Sequence, residues 1–269
     1  MGSGIAQLAA QAGYNTIQFD VNASMLEKSR AGIEKSLQWL LEKGKMSKEN
    51  QLACIKRLRF SSSINDCLAD IVIEAIIEQK EAKLVLFTQL AAINTSATIF
   101  ATNTSSIAVG DIASAIDHPQ RVIGMHFFNP APVMKLVEVV KAAQTDEKTV
   151  QVIRELAFSM GKTPVVCKDA PGFIVNRVAR HYYLEAMKLV EEGAATIETI
   201  DTLMEASGFK MGPFKLMDLI GLDINFGVST IVWEALGKPK RLTPSAIQKE
   251  KVAAGELGRK TGKGFYVYR

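Results

Sequence analysis

A histidine and a glutamate on either side of a proline-rich loop are the first candidates for chemistry. His126 opens the run HFFNPAP, and Glu138 lies in the apolar run that follows. If the flanking segments pair as antiparallel strands, His126 faces Glu138 with Cβ atoms about 5 Å apart. A carboxylate beside an imidazole fixes the ring tautomer and stabilises its charged form, which suits a base that takes an alcohol proton. The alternative is a structural ion pair.

The start of the chain suggests a nucleotide. Met-Gly-Ser-Gly-Ile-Ala precedes a predicted strand that ends at Asp20. This order is similar to the tail of a dinucleotide-binding fingerprint, whose last glycine allows close packing of helix on strand. An acid at that strand end accepts hydrogen bonds from a ribose 2′-hydroxyl and repels a 2′-phosphate, so Asp20 favours NAD over NADP. A chain start without functional meaning is the alternative.

The first strand and the first two glycines of that fingerprint are absent from the sequence. We therefore expect that Met1 is an internal methionine of the natural protein, preceded by roughly ten to twelve residues that form the strand and its turn. A chain that lacks a central strand would leave backbone groups unpaired in a buried sheet. The expectation is that the chain as written folds poorly or binds NAD weakly.

Short polar side chains follow another predicted strand. The sequence Asn-Thr-Ser-Ser at 103–106 comes after it, at the edge where open α/β sheets bind ligands. The hydroxyls of Ser105 and Ser106 could bind a substrate oxygen, or they could cap the next helix. Asn176 lies in an apolar helical stretch, where its amide needs a partner that another side chain could also supply.

The elements that must hold these residues change in type along the chain. The first part predicts helices at 5–12 and 25–43 and strands at 14–19, 71–77, 98–102, 122–127, 135–140 and 163–167. Alternation of this kind predicts a parallel sheet covered by helices. After Lys168 every segment has helix punctuation, with one helix from Pro171 to Gly193, a second from Thr196 to Gly208, a third from Pro213 to near Gly237 and a fourth from Thr243. We expect an α/β Rossmann-type doubly wound domain with its first strand missing (1–168) and an all-α domain (169–269).

Composition narrows the class of protein. The 269 residues carry 32 Lys+Arg and 28 Asp+Glu, a net charge of +4 with no cluster dense enough for a nucleic-acid stripe. Three widely spaced cysteines suggest neither a disulfide framework nor a zinc site. No apolar run approaches the roughly 18 residues of a membrane helix, and no signal-peptide pattern opens the chain. We expect a cytoplasmic protein that binds no metal, nucleic acid or membrane.

Taken together, the motifs resemble the NAD-dependent 3-hydroxyacyl-CoA dehydrogenase family, especially its bacterial 3-hydroxybutyryl-CoA type. The resemblance covers essentially the whole chain. The motifs that carry it stand in family order: IFATNTSS at 99–106, HFFNP at 126–130, PGFIVNR at 171–177, MGPF at 211–214 and GKGFY at 262–266. Several independent motifs with shared spacing are more specific than any one of them.

The resemblance implies roles for particular residues. His126 would be the general base with Glu138 as its partner, and Ser105 and Asn176 would contact the reacting end of the substrate. Contacts to NAD are implied for Gly2, Asp20, Glu78, Lys83 and Asn103. Ser36 and Lys43 match positions that touch coenzyme A, although a solvated helix face is the alternative for these two. The resemblance also implies a substrate cleft, with the helical domain forming the interface of a homodimer.

Two other functions remain open from the sequence. A protein that kept the fold and lost the chemistry would serve as a binding or structural component; His126 and Glu138 argue against it, and the missing first strand argues for it. A dehydrogenase of a free hydroxy acid is the other enzyme alternative, which Ser36 and Lys43 disfavour. Acyl-chain length and physiological direction are not encoded in any pattern described above.

Overall fold

The fold divides into two compact units. A computed structural model describes residues 1–268, and its contacts separate Met1–Asp169 from the residues that begin at Ala170. The first unit alternates strands with helices, and the second contains helices and short turns. The predicted α/β class with a helical second part is therefore confirmed.

The first unit contains seven strands in two sheets. A two-stranded parallel sheet pairs β1 with β2, and a five-stranded sheet has the order β3-β4-β5-β6-β7. Within the larger sheet only the β5·β6 pair is antiparallel. The strands are β1 Thr16–Phe19, β2 Leu58–Ser61, β3 Ile71–Glu74, β4 Ile99–Thr102, β5 Val122–Phe127, β6 Leu136–Lys141 and β7 Thr163–Lys168.

Helices connect most of these strands, and three of the six helices start at a capping side chain. The helices of this unit are α1 Gly2–Gln11, α2 Ala23–Glu42, α3 Lys48–Arg57, α4 Lys80–Ile93, α5 Val109–Ala113 and α6 Glu147–Ser159. Asn22, Ser47 and Asp146 accept backbone N–H groups at the starts of α2, α3 and α6, which satisfies donors that a helix end leaves unpaired. Fully buried side chains of β5 and β6 pack against α1 and α6 in the main core.

Two features of the first unit differ from the sequence prediction. Strand β2 was not expected, because its four residues, LRFS, are too short and too mixed in polarity for a clear pattern. The strands also do not form one continuous sheet, since the described residues leave β1–β2 separate from β3–β7. The expectation of a missing first strand stays a prediction.

The second unit packs its helices around a separate core. Its helices are α7 Val175–Glu191, α8 Ile197–Ala206, α9 Pro213–Ile220, α10 Leu222–Ala235 and α11 Ala246–Ala253. The core joins buried residues of α7, α9 and α10, including Met187, Phe214, Met217 and Val232. Helices α7, α8 and α11 lie where helices were expected, whereas α9 and α10 were expected as a single helix.

The third predicted helix, from Pro213 to near Gly237, is wrong as a single element. It divides at Gly221 into α9 and α10, because Gly221 adopts a φ of 104°, a left-handed conformation that ends a helix. No single helix among residues 1–268 is long and apolar enough to cross a membrane; the pair α9 and α10 together meets those criteria but bends by 100°.

Candidate active site

His126 and Glu138 are paired inside the sheet. The antiparallel register of β5 and β6 places them directly opposite each other, which confirms the predicted cross-strand pair. His126 Nδ1 lies 2.8 Å from Glu138 Oε2, and the Glu138 side chain is only 1% exposed. The strands also approach closely at the register pair Gly124–Val140, since a Cβ on Gly124 would come within 2.7 Å of Val140 Cβ. A glycine is therefore required beside the His126–Glu138 pair.

The loop between His126 and Glu138 is held from two sides. The ammonium of Lys162 donates to the carbonyls of Ala131 and Met134, at 2.5 and 2.8 Å, and is almost fully buried. Burial lowers the pKa of Lys162, with a further contribution from the charge of Lys135. Sequence analysis missed Lys162, because nothing local to a lysine before a strand shows that it reaches back to an earlier loop.

Helix α1 holds the same loop from its other side. A Cβ on Gly4 would come within 2.9 Å of Pro132 Cδ and 3.3 Å of Ala131 Cβ. At Gly2 the nearest atom to such a Cβ is 3.9 Å away, on Ala75. In this segment Gly4 is therefore the glycine in close contact, and it packs against the loop after His126. The fingerprint pattern had instead predicted close packing of the helix on a strand.

Glu78 organises the polar turn at 104–106. Its Oε1 atom accepts hydrogen bonds from the hydroxyls of Thr104, Ser105 and Ser106 and from the backbone N–H groups of the two serines, at 2.7–3.1 Å. Burial raises the pKa of Glu78, but the hydrogen bond from Thr104 and the charge of Lys83 outweigh it, and the net effect is a lowered pKa. The carboxylate is therefore ionised, and it fixes the turn that carries Ser105.

Lys83 lies deeper than Glu78. Its Nζ is 2.7 Å from Glu74 Oε1 and 3.2 Å from Glu78 Oε2, and the lysine and Glu74 side chains are 1% and 0% exposed. Glu74 was also missed by sequence analysis, since a lone acid after three apolar strand residues gives no sign of a buried partner nine residues later.

Asn103 connects the ends of three strands. Its backbone N–H donates to the Glu74 carbonyl at the end of β3, and its Oδ1 accepts the backbone N–H of Phe127 at the end of β5. Asn103 thus lies beside His126 at the carboxyl edge of the sheet, where open α/β sheets bind ligands.

The groups expected to hold NAD fit it in part. Asp20 follows β1 and is half-buried, with Oδ1 accepting the N–H of Asn22, and its other oxygen is suited to a ribose hydroxyl. Gly2 is the first residue of α1, where backbone N–H groups point out of the helix end. Lys83 is 1% exposed and pairs with two carboxylates, and its contact with NAD stays a prediction.

The two residues implied for coenzyme A differ in their surroundings. Ser36 is half-buried in α2, and its hydroxyl accepts a hydrogen bond from Gln7 at 3.0 Å. Lys43 is exposed at the C-cap of the same helix. The proximity of the two along one helix is as expected, and their role in binding stays a prediction.

Asn176 lies in the second unit, in the first turn of α7. Its backbone carbonyl accepts a hydrogen bond from Arg180 Nε at 3.0 Å. Arg180 is 3% exposed, and its Nη1 donates to the Asn225 carbonyl and the Ser229 hydroxyl, both at 2.8 Å. Burial lowers the pKa of Arg180 to about 10. All these partners are neutral, so the guanidinium carries its charge among dipoles.

Comparison with known proteins supports the class of protein that the sequence motifs predicted, over nearly the whole length of the chain. Residues 1–170 match the family described as 3-hydroxyacyl-CoA dehydrogenase, NAD binding domain, and residues 172–268 match its C-terminal domain. The chain belongs to the 3-hydroxyacyl-CoA dehydrogenase family of NAD-binding oxidoreductases.

Individual relatives differ in length and in named substrate. The chain is 46% identical to the 3-hydroxyadipyl-CoA dehydrogenase of Escherichia coli K12, with all of this chain covering 57% of that protein. A probable 3-hydroxybutyryl-CoA dehydrogenase of Deinococcus radiodurans is 42% identical, with 100% and 96% covered. The crystal structure of (S)-3-hydroxybutyryl-CoA dehydrogenase from Ralstonia eutropha superposes with a TM-score of 0.97 at 38% identity and covers 100% of this chain and 95% of that one.

Proposed function

We propose that this chain oxidises (S)-3-hydroxyacyl-CoA esters to 3-oxoacyl-CoA with NAD, reversibly, and that 3-hydroxybutyryl-CoA is the first candidate substrate. The observation that carries the proposal is the buried pair of His126 and Glu138, with 2.8 Å between Nδ1 and Oε2. The names of the Deinococcus and Ralstonia relatives support the substrate.

In the proposed reaction His126 is the general base. With Nδ1–H donated to Glu138, the lone pair lies on Nε2, which takes the proton of the 3-hydroxyl group. Glu138 stabilises the imidazolium that forms. NAD, when bound, accepts the hydride that leaves C3. In the reverse direction His126 returns the proton to the oxygen of the 3-oxo group.

Other residues would position the substrate. The Ser105 hydroxyl would orient the oxygen on C3, and the turn that holds it is fixed by Glu78. Asn176 would bind the acyl group near the thioester. Asp20 would bind the adenosine ribose and disfavour NADP, and Ser36 and Lys43 would contact coenzyme A.

One assay tests the substrate class. Oxidation of NADH is followed with acetoacetyl-CoA, with longer 3-oxoacyl-CoA esters and with free acetoacetate, and then repeated with NADPH. Turnover of the thioesters with a preference for NADH supports the proposal. Equal rates with free acetoacetate would favour a hydroxy-acid dehydrogenase, and NADH binding without any turnover would favour a binding protein.

A second candidate substrate carries a carboxylate at the far end of its acyl chain, as the name of the E. coli relative indicates for that protein. Arg180 favours it, because its buried guanidinium has only neutral hydrogen-bond partners among residues 1–268, and a substrate carboxylate would supply a counter-charge. The test compares 3-oxoadipyl-CoA with 3-oxohexanoyl-CoA, which has the same chain length and a methyl end. A preference of tenfold or more in kcat/KM for the first supports this candidate, and equal values exclude it.

A further inference from the structure

Glu74 stands at the centre of a buried polar network that the proposed reaction does not use directly. Its Oε1 accepts hydrogen bonds from Lys83 Nζ and from the backbone N–H of Ile76, each at 2.7 Å. Its Oε2 accepts the Thr102 hydroxyl at 2.7 Å. One carboxylate thus joins the ends of β3 and β4 to helix α4 through three hydrogen bonds.

Lys83 connects this carboxylate to Glu78. The two oxygens of Glu78 have different partners: Oε2 is 3.2 Å from Lys83 Nζ, and Oε1 accepts the five hydrogen bonds from turn 104–106. The position of the ammonium therefore fixes the orientation of the Glu78 carboxylate, and that orientation fixes the turn. Thr102 adds a second connection, because its hydroxyl oxygen also accepts the backbone N–H of Thr104 at 3.3 Å.

We propose that Glu74 is a positioning residue that acts through Lys83 and Glu78 to hold Ser105 in place. The part that concerns Ser105 in catalysis rests on the proposed function. A buried ammonium shared by two carboxylates stays between them. Without the charge of Glu74 the ammonium pairs with Glu78 alone, so Glu78 shifts away from the turn.

Amide hydrogen exchange on the protein without cofactor tests the network independently of activity. In Glu74→Gln the backbone amides of Ser105 and Ser106 should exchange about tenfold faster, because each donates to Glu78. The Phe127 amide, which donates to Asn103, should keep its rate. Unchanged rates for the serines, or an equal acceleration of all three amides, would overturn the proposal.

Asp111→Asn is the matched control. Asp111 pairs with Lys80, also on α4, at 2.7 Å, but the two side chains are 53% and 43% exposed. Asp111 lies on α5, and its loss removes one acid charge that pairs with α4 without touching the buried network, so the serine amides should exchange as in the unaltered protein. If this variant accelerates them as strongly as Glu74→Gln, general electrostatics explains the effect and the proposal fails.

A double-mutant cycle tests the route through Ser105. Glu74→Gln should lower kcat about tenfold in the unaltered protein and should have little further effect in a Ser105→Ala background. The dissociation constant of NADH, from fluorescence titration, should change less than kcat. Additive effects on kcat, or weaker NADH binding with an unchanged kcat, would overturn the positioning role. If the unaltered protein turns over no 3-oxoacyl-CoA, the proposed function fails, and the exchange result still decides whether the network holds the turn.

Should Glu74→Gln not fold, Thr102→Val replaces it. Valine has the shape of threonine but cannot donate to Glu74 or accept from Thr104. Faster exchange of the two serine amides in Thr102→Val, restored in Thr102→Ser, supports the network. The same rates in both variants would overturn it.

Discussion

The two units bury carboxylates in opposite ways. In the first unit Glu138 and Glu74 face side chains that carry or accept a proton, His126 and Lys83. In the second unit Asp201 and Asp218, 0% and 1% exposed, face backbone N–H groups and tyrosine hydroxyls. A carboxylate paired with a titratable group can take part in proton transfer, whereas one surrounded by fixed donors can only hold the chain in place.

The second-unit carboxylates explain two of the sequence motifs. Asp218 accepts the backbone N–H groups of Phe265 and Tyr266 and the hydroxyl of Tyr268, at 2.8–2.9 Å. A Cβ on Gly264 would come within 2.1 Å of Asp218 Oδ1, so the GKGFY motif needs its second glycine to admit the carboxylate.

Asp201 has the same function at the start of α9. It accepts the backbone N–H groups of Phe214 and Lys215, and a Cβ on Gly212 would come within 2.3 Å of its Oδ1. The MGPF motif is therefore a structural signature, in which the glycine makes room for the acid that caps the helix.

The largest expected effect is on the chemistry of the first unit. His126→Gln should lower kcat at least about 100-fold, because the glutamine amide cannot take the alcohol proton. Affinity for NADH, from fluorescence titration, should be nearly unchanged. A variant that turns over at the rate of the unaltered protein would remove His126 from the mechanism.

Glu138→Gln should have the next largest effect. A hydrogen bond to a charged group is worth about 1.5–3 kcal/mol, and about 1.4 kcal/mol corresponds to a factor of ten in rate. The loss of the counter-charge to the imidazolium should therefore lower kcat about ten- to a hundredfold. Steady-state kinetics with acetoacetyl-CoA measure it, and an unchanged kcat would reduce the pair to a structural contact.

The comparison also shows which parts of the site the sequence could predict. His126 and Glu138 pair through the regular register of two adjacent strands, so position along the chain was sufficient to place them. Asp20 follows from a strand end in the same way. These residues depend on periodicities of the backbone, which are visible in the sequence.

Glu74 and Lys162 could not be predicted, because their partners lie on elements whose relative positions depend on tertiary packing. The same holds for Asp201 and Asp218, which accept backbone N–H groups and tyrosine hydroxyls from segments distant in sequence. The break at Gly221 was missed for a related reason: a glycine inside an apolar helical pattern can be tolerated or can end the helix, and the pattern alone does not decide which.

The second unit should respond in stability rather than in rate. Asp218→Asn replaces an acceptor oxygen by an NH₂ group that faces other donors, so the free energy of unfolding should fall by about 1–3 kcal/mol. Urea denaturation of a Trp39→Phe background measures it, because Trp233 of the second unit is then the remaining tryptophan. Asp223→Asn is the control, since Asp223 pairs with Lys260 at a partly exposed site. An equal loss in both variants would contradict the distinction.

The smallest expected effect is a pH dependence confined to the second unit. Burial raises the pKa of Tyr268 to about 12, with the hydrogen bond and charge of Asp218 as further causes. The unfolded chain has its ordinary pKa near 10, so the unfolded state loses this proton before the folded state does. The stability that Tyr268 contributes is therefore present below pH 10 and is lost as the pH rises through 12.

Tyr268→Phe has no such proton, so its free energy of unfolding should fall less steeply across this interval. Urea midpoints from circular dichroism at intervals between pH 8 and about pH 11.5 give the two curves. Other ionising groups affect both proteins alike and cancel in the difference. Parallel curves would mean that Tyr268 has the same affinity for its proton in both states, and that Asp218 holds the chain end through its backbone partners alone.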